Sequence, residues 1–418
     1  MNKKGREEKA SEDKERIGDK RESRKTVRTF ALASFLNDLG AEMIFPIWPL
    51  FVTIYLGANT IILGLLDGLG DSIVSISQAA SGYISDRIKR RKVFIWSGYL
   101  FGSLSRIGYS LSTIWQSLIP FRIMDRFGKI RDAPRDAIVA DVSIKQNRGK
   151  NFGLIRSMDR LGAVVGTTIC ILLFAILGYK KLFLLAAVPS LIGAFLILFL
   201  IKEKRTKIKV YKGIALKDLS KEFKLFLVLS SFFALGSFSY SFLLLYAKDF
   251  GFQITFIPVL YLIFAAVNSA SALPFGRLSD KIGRKAVLML SFTLWAIVCL
   301  SFIFLQSYIA IIVAFAIYGL HKGALEPVQK TFVAELSPKK YRASGLGGFE
   351  MIIGLCALPA SLFAGILWYK IGVLIPLYFS LCLTVIAMIM LTFVKEEVMK
   401  RERQGRKKMR KIKIYFFL

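Results

Sequence analysis

Sixteen ionisable side chains interrupt the apolar first half of this chain, and their types and spacing point to charge chemistry. Asp38, Glu42, Asp67, Asp71, Asp125, Asp132, Asp136 and Asp159 are the acids; Arg106, Arg122, Arg126, Lys129, Arg131, Arg135, Arg156 and Arg160 are the bases. Equal numbers suggest mutual pairing instead of a bare field. Asp38 and Glu42 stand four apart, as do Asp67 and Asp71, so each pair shares one helix face. Asp125, Lys129, Asp132 and Asp136 form another stripe. A charge in hydrocarbon costs roughly 2.5 to 3.5 kcal/mol on insertion scales, so such groups should face a bundle interior or a watery cavity. A carboxylate beside Arg stays ionised, and separating the two in a low-dielectric site favours protonation. The set can therefore couple proton binding to a change of shape. Coupling or substrate contact is assigned to Asp38, Glu42, Asp67, Asp71, Arg122, Asp125, Arg126, Arg156 and Asp159. Asp38, Glu42 and Asp125 are the groups expected to exchange the proton. The competing reading is a static salt-bridge network that fixes helix packing.

The second half is less charged. His321, the only histidine, and Glu326 join the cavity set there, with Lys322, Lys330 and Glu350 nearby and Ser239, Tyr240 and Asn268 as further hydrogen-bonding groups. His321 has no companion Cys or His at metal spacing, so it reads as a hydrogen-bonded polar residue, and no metal or cofactor is expected. Cys170, Cys299, Cys356 and Cys382 fall in apolar stretches and read as packing residues.

The elements that position these groups follow from hydropathy. The 418 residues are 55% hydrophobic, with a mean hydropathy of +0.53. Twelve apolar runs can each cross a hydrocarbon core ~30 Å thick, and in lipid such runs must be helices. The net charge of +31 does not signal nucleic acid, because most of the Lys and Arg lie in the tails and the loops of one face. The opposite loops hold Lys180, Lys181, Lys248 and Lys370. That asymmetry places both termini in the cytoplasm of a multi-pass cell-membrane protein and brings membrane lipids in as partners. Residues 1–27 read as a disordered cytoplasmic tail, and 396–418 as a basic one whose apolar end could lie on the membrane.

A basic phrase occurs twice. Gly82-Tyr-Ile-Ser-Asp86-Arg87-Ile-Lys-Arg90 is answered 194 residues later by Gly276-Arg-Leu-Ser-Asp280-Lys-Ile-Gly-Arg284. Asp141 and Glu335 keep the same offset, as do Arg148 and Arg342. Both copies fall on the basic face, so each half holds an even number of spans. The expected organisation is a six-helix bundle over 28–201, a linker over 202–223 and a second bundle over 224–395. Gly82 and Gly276 are expected to end helices where a side chain would hold neighbours apart, and Asp86 and Asp280 to cap the next helix.

The phrase resembles the signature between the second and third helices of the major facilitator superfamily, and its recurrence in the second half strengthens the resemblance. With its very polar fourth helix (Asp125 to Asp136), the chain is similar to a group of uncharacterised prokaryotic carriers. The resemblance implies an all-α membrane protein of twelve transmembrane helices in two parallel six-helix bundles related by pseudo-symmetry. It implies a cytoplasmic latch formed by Gly82, Asp86, Arg87, Arg90, Gly276, Asp280 and Arg284, to which Arg131, Arg135 and Asp136 are added by their depth. It also places Arg122 in the polar signature of the fourth helix. The implied activity is secondary transport of a small polar or charged solute by rocking of the two halves, proton-coupled, with export favoured over import and the chain acting as a monomer. No phosphate-binding Gly-rich loop appears, so ATP-driven pumping is not expected. Alternatives are a divalent-cation exporter using Asp38, Glu42 and His321, and a membrane-embedded lipid-handling enzyme, for which no nucleophile with a nearby base is visible.

Overall fold

Backbone groups have no water to bond in a bilayer, so apolar runs close their hydrogen bonds within themselves. The computed structural model describes residues 3–88, 90–143, 147–201, 219–305, 307–338 and 342–396, which are helical with short turns and contain no strand. Among these residues nine segments are long and apolar enough to cross a membrane. One of them, Arg148–Leu200, has 53 residues, or about 80 Å at 1.5 Å per residue, far more than one crossing needs. Its path breaks at Gly178, where φ is 65° and ψ −173°, so it supplies the fifth and sixth expected spans. The third and fourth, Arg91–Leu111 and the stretch from Leu118 to Val142, are helical but more polar.

The disordered tail expected over 1–27 is not what the backbone shows. The first helix begins at Lys3 and runs to Glu42. Lys, Glu and Arg are good helix formers, and opposite charges recur at i,i+4 in Lys3/Glu7, Lys4/Glu8, Lys9/Asp13 and Glu12/Arg16, a spacing that supports a helix. The linker 202–218 and the tail 397–418 lie outside the described residues.

The chain forms two units, 1–57 with 73–210 and 58–72 with 211–418. Residues 58–72 thus group with the second unit, apart from the rest of the first six expected spans. Small residues explain this. Thr60, Gly64, Gly68 and Ser72 recur every four residues on the helix Thr60–Ile88. A Cβ at Gly64 would overlap the Ser361 carbonyl, and one at Gly68 the backbone of Ala357 and Leu358. Thr60 Oγ1 donates to the Gly365 carbonyl at 3.0 Å and Ser72 Oγ to that of Gly354 at 2.9 Å. The seam is of the small-residue type that lets membrane helices approach closely.

In the first unit the helix Lys3–Glu42 packs along Arg148–Leu200, around a core that includes Phe30, Ile95, Tyr99, Val139, Ile155 and Ile197. The close approach rests on Gly162 and Gly166, where a Cβ would overlap the carbonyls of Phe35 and Leu39. In the second unit Ile257–Ile282 and Arg284–Phe304 pack on Tyr308–Leu336, around a stack of rings. Phe233 lies 4.2 Å from Phe292, and Trp295 donates from Nε1 to Ser380 Oγ at 2.8 Å. Large side chains such as Leu172, Ile176, Phe199, Ile309 and Phe393 are exposed, an apolar surface suited to lipid.

Replacing Gly162 by Val drives a branched side chain into the Phe35 carbonyl. Overpacking of this kind costs about 1 to 3 kcal/mol, so the purified variant is expected to unfold at lower temperature in detergent. An unchanged melting temperature would show that the first and fifth spans are not tightly seamed there.

Candidate functional site

The fourth span carries the charges because it is not one uniform helix. Leu118–Phe127 gives way to a 3-10 turn over Gly128–Arg131, and helix resumes over Asp132–Val142. Gly128 permits the turn to approach Gly98, whose own Cβ would overlap the Gly128 carbonyl. Arg131 Nη1 donates back to that carbonyl at 2.9 Å. The tighter winding turns Arg131 and Arg135 into the first unit's interior, where both are buried.

Two groups of charges result. In the first, Asp125 contacts Arg126 Nε at 3.6 Å and accepts from Ser105 Oγ at 3.4 Å. Arg126 lies over the Phe45 ring at 5.0 Å and Arg122 over the Trp48 ring at 4.2 Å. Arg122 also hydrogen-bonds Tyr109. Beside them Arg106, 2% exposed, donates to the carbonyls of Ala186 and Asn37, to Asn37 Oδ1 and to Ser190 Oγ. Asn37 Nδ2 in turn donates to Asp38 Oδ1 at 3.0 Å. Arg106, Tyr109, Arg122 and Asp125 line a cavity of about 10 Å³ with Ala41 and Phe45, about the least that holds one water.

The second group surrounds Asp132 and Asp136. Asp132 accepts from Gln78 Nε2 at 2.9 Å and lies 3.7 Å from both Arg131 and Arg135. Arg135 donates to Asp136 at 3.0 Å and to Ser34 Oγ at 3.0 Å, while Arg131 lies 4.9 Å over the Tyr99 ring. Arg156 bridges Asp136 and Asp159, at 3.6 Å from each. Asp38 is among the charges acting on Asp159. Arg131 and Arg135, expected in the cytoplasmic latch, are thus buried inside the first unit, and the half-buried Asp136, expected there too, joins them through Arg135.

The repeated phrase shows a different set of contacts from those expected. Gly82 and Gly276 lie within helices, and a Cβ at Gly82 would meet Ala133 at an ordinary 3.4 Å, one at Gly276 nothing within 4 Å. They do not enforce close approach. Gly283 does the turning, at φ 110°, a region that favours glycine. Asp280 lies in the last turn of Ile257–Ile282 and caps no following helix; it pairs with Arg284 at 2.6 Å. A carboxylate is unfavourable at a helix C-terminus, and Arg284 offsets that charge. Arg284 also meets Glu335 at 3.1 Å, and its backbone N–H donates to Glu396 Oε1 at 2.7 Å. In the first copy Arg91, not Arg90, holds Asp141, the counterpart of Glu335, at 2.5 Å; Arg87 and Arg90 are exposed. The Asp86 side chain lies outside the described residues.

The second unit holds the remaining candidates. Asp67, 2% exposed, accepts from Ser239 Oγ at 2.7 Å. Ser239 sits where the seventh span breaks between Lys221–Gly236 and Tyr240–Phe250, and its Oγ also accepts from Ser241 N–H at 3.2 Å. Asp71 and Glu326 are exposed and act electrostatically on Lys322. His321 is buried, with Nδ1 2.9 Å from Ser291 Oγ and 2.8 Å from its carbonyl. No three His, Cys, Asp or Glu side chains converge as a metal site among the described residues. Trp48, Phe45, Tyr99, Ser34 and Gln78 were not anticipated as partners; rings and hydroxyls in apolar runs give no sequence signal. The repeat offset pairs Arg284 with Arg90, so it does not single out Arg91.

This fold, with its two repeats and interior charges, is that of a polytopic membrane carrier. The family model of the Major Facilitator Superfamily matches residues 30–228 and again 224–417. An uncharacterised MFS-type transporter of Methanocaldococcus jannaschii is 37% identical over 385 residues, covering 90% of this chain and 96% of the relative. The multi-drug resistance efflux pump PmrA of Streptococcus pneumoniae is 24% identical over 324 residues, 73% of this chain and 80% of the pump. The solved nucleoside transporter NupG superposes with a TM-score of 0.70 at 16% identity, covering 88% of this chain and 99% of that one. The chain belongs to the major facilitator superfamily, whose members carry small-molecule solutes across membranes.

The Asp67–Ser239 contact can be tested by itself. A hydrogen bond to a charged group contributes about 1.5 to 3 kcal/mol, so Asp67→Ala and Ser239→Ala should each lower thermal stability in detergent. The double variant should lose less than the sum. Strict additivity would show that the two side chains are not coupled.

Proposed function

We propose that the chain is a proton-coupled secondary carrier that exports a small polar or charged solute across the cell membrane. What carries this reading is the way Asp125 is held: a 3.6 Å contact with Arg126 and a 3.4 Å contact with Ser105 beside a cavity of one-water size. Such long contacts are readily exchanged for a proton or for a solute's own charge. Asp38, hydrogen-bonded to Asn37 near Arg106, offers a second carboxylate of this kind, and Glu42 lies one turn beyond it. A mixed-charge wall with Trp48 and Phe45 behind it suits a polar or zwitterionic solute better than a purely apolar one. The efflux pump among the relatives supports outward transport. Both termini face the cytoplasm in this reading, the carrier works as a monomer, and it performs no enzymatic step.

The divalent-cation alternative has less support. His321, its proposed nitrogen ligand, is buried with Nδ1 2.9 Å from Ser291 Oγ, which suits a hydrogen-bonded residue better than a cation ligand.

Three measurements test the proposal. A thermal-shift screen of solutes at pH 6 and pH 8 should find one that stabilises the protein in a pH-dependent way. In proteoliposomes with that solute, at least one of Asp38→Asn, Glu42→Gln and Asp125→Asn should lower pH-driven transport tenfold or more while leaving solute exchange at equal pH. Unchanged pH-driven transport in all three refutes proton coupling through these residues. For orientation, single cysteines at Arg90 and Arg284 in a cysteine-free background should both react with an impermeant maleimide from the cytoplasmic side alone. Reaction from opposite sides rules out the proposed topology.

A further inference from the structure

A second feature lies away from the charged interior of the first unit. Arg24, Lys25 and Arg28 line a cavity of about 450 Å³ whose apolar wall is made by Leu32, Leu196 and Leu200. Arg24, Arg28 and Leu32 follow one another at four-residue steps, so they lie along one face of the first helix. All three cations are exposed, as are Leu32 and Leu200. Glu22 is the acidic residue next along this stretch of helix, and it is half-buried.

The two helices that form the cavity each mark the membrane boundary at this level. The first passes from Arg28 into the buried, apolar Phe30 and Ala31. The sixth span ends at Leu200, and the sequence continues Ile201-Lys202-Glu203-Lys204-Arg205. Arg28 and Leu32 are one turn apart, about 6 Å along the axis. Three cations thus stand at the end of the two apolar stretches, and three leucines lie within them.

We infer that this cavity binds an anionic phospholipid, with the phosphate on Arg24, Lys25 and Arg28 and the upper acyl chains on Leu32, Leu196 and Leu200. A volume of about 450 Å³ lies within the usual 300–1,000 Å³ of small-molecule sites. Guanidinium forks suit phosphate oxygens, and a soluble anion would leave the leucine wall uncovered. The cavity shares no lining residue with the one beside Arg106, Arg122 and Asp125. Its occupant would tie the first helix to the sixth span at their shared end.

The test compares lipids on the purified, delipidated full-length protein by native mass spectrometry. Dioleoyl phosphatidylglycerol should be retained in preference to dioleoyl phosphatidylcholine. Each surface cation is worth about a factor of five toward anionic lipid, so Arg24→Gln, Lys25→Gln and Arg28→Gln together should weaken retention on the order of a hundredfold. Removing three other exposed charges, with Lys150→Gln, Lys221→Gln and Lys224→Gln, should change it little. Leu196→Gln with Leu200→Gln should weaken phosphatidylglycerol while keeping all the charge. Should the triple variant not fold, Arg28→Gln alone makes the same comparison. The inference is overturned if both charge-removal triples lose lipid equally, which indicates bulk electrostatics. It is also overturned if glycerol phosphate without acyl chains competes as well as the lipid, which indicates a soluble anion site.

Discussion

An ionised side chain at membrane depth must be neutralised where it stands, and most of the first unit's architecture follows from that requirement. Numbers alone suggest eight acid–base pairs, but the structure does not solve the problem pair by pair. Arg106 is held by two carbonyls, an amide oxygen and a hydroxyl. Arg122 rests on Trp48, and Arg131 on Tyr99 and a carbonyl. Guanidinium groups suit such treatment, being planar, weakly hydrated and able to stack on rings. Asp125, by contrast, has long contacts, 3.6 Å to Arg126 and 3.4 Å to Ser105. Asp132 is held more closely, by Gln78 at 2.9 Å and by two arginines at 3.7 Å.

The same requirement governs the backbone. Each place where a helix breaks in the membrane must provide for the freed groups. At Gly128–Arg131 the Arg131 side chain takes the Gly128 carbonyl. At Ser237–Ser239 the Ser239 hydroxyl accepts an N–H of the next helix and donates to Asp67. The polar residues at these breaks therefore have a structural duty before they have any functional one. That is why the break in the seventh span and the buried carboxylate of the second span occur together.

Hydropathy and the 194-residue repeat make the helical membrane fold and the family legible from sequence, because period and length are one-dimensional properties. Pairing was not legible. Residues three to five apart on a helix can point into different neighbourhoods, and a single 3-10 turn resets the phase. Arg131, Arg135 and Asp136 were assigned by depth to the basic loop, but the turn at 128–131 swings them onto Ser34, Tyr99 and Arg156. Arg90 occupies the repeat position of Arg284, yet Arg91 is the one that reaches Asp141. The affiliation of 58–72 with the second unit was equally hidden. Thr60, Gly64, Gly68 and Ser72 read as ordinary small residues until Gly354, Ser361 and Gly365 are seen opposite them.

The two repeats have kept a scaffold and diverged in chemistry. Both copies of the basic phrase bring an arginine to the carboxylate at the shared offset, Asp141 or Glu335. In the second copy Arg284 also pairs with Asp280, and its backbone N–H donates to Glu396, so the chain leaving the last span is tied to the turn at Gly283. Inside the bundles the difference is larger. The first unit devotes many of its interior polar contacts to arginines and carboxylates; the second packs Phe233, Phe292, Trp295 and Tyr318 together and satisfies His321 with a serine. Packed rings hold a fixed shape, since close-packed interiors resist small displacements. Long ion contacts do not. If one half of a duplicated carrier is to respond to charge while the other keeps its form, this is the partition of residues that physical chemistry requires.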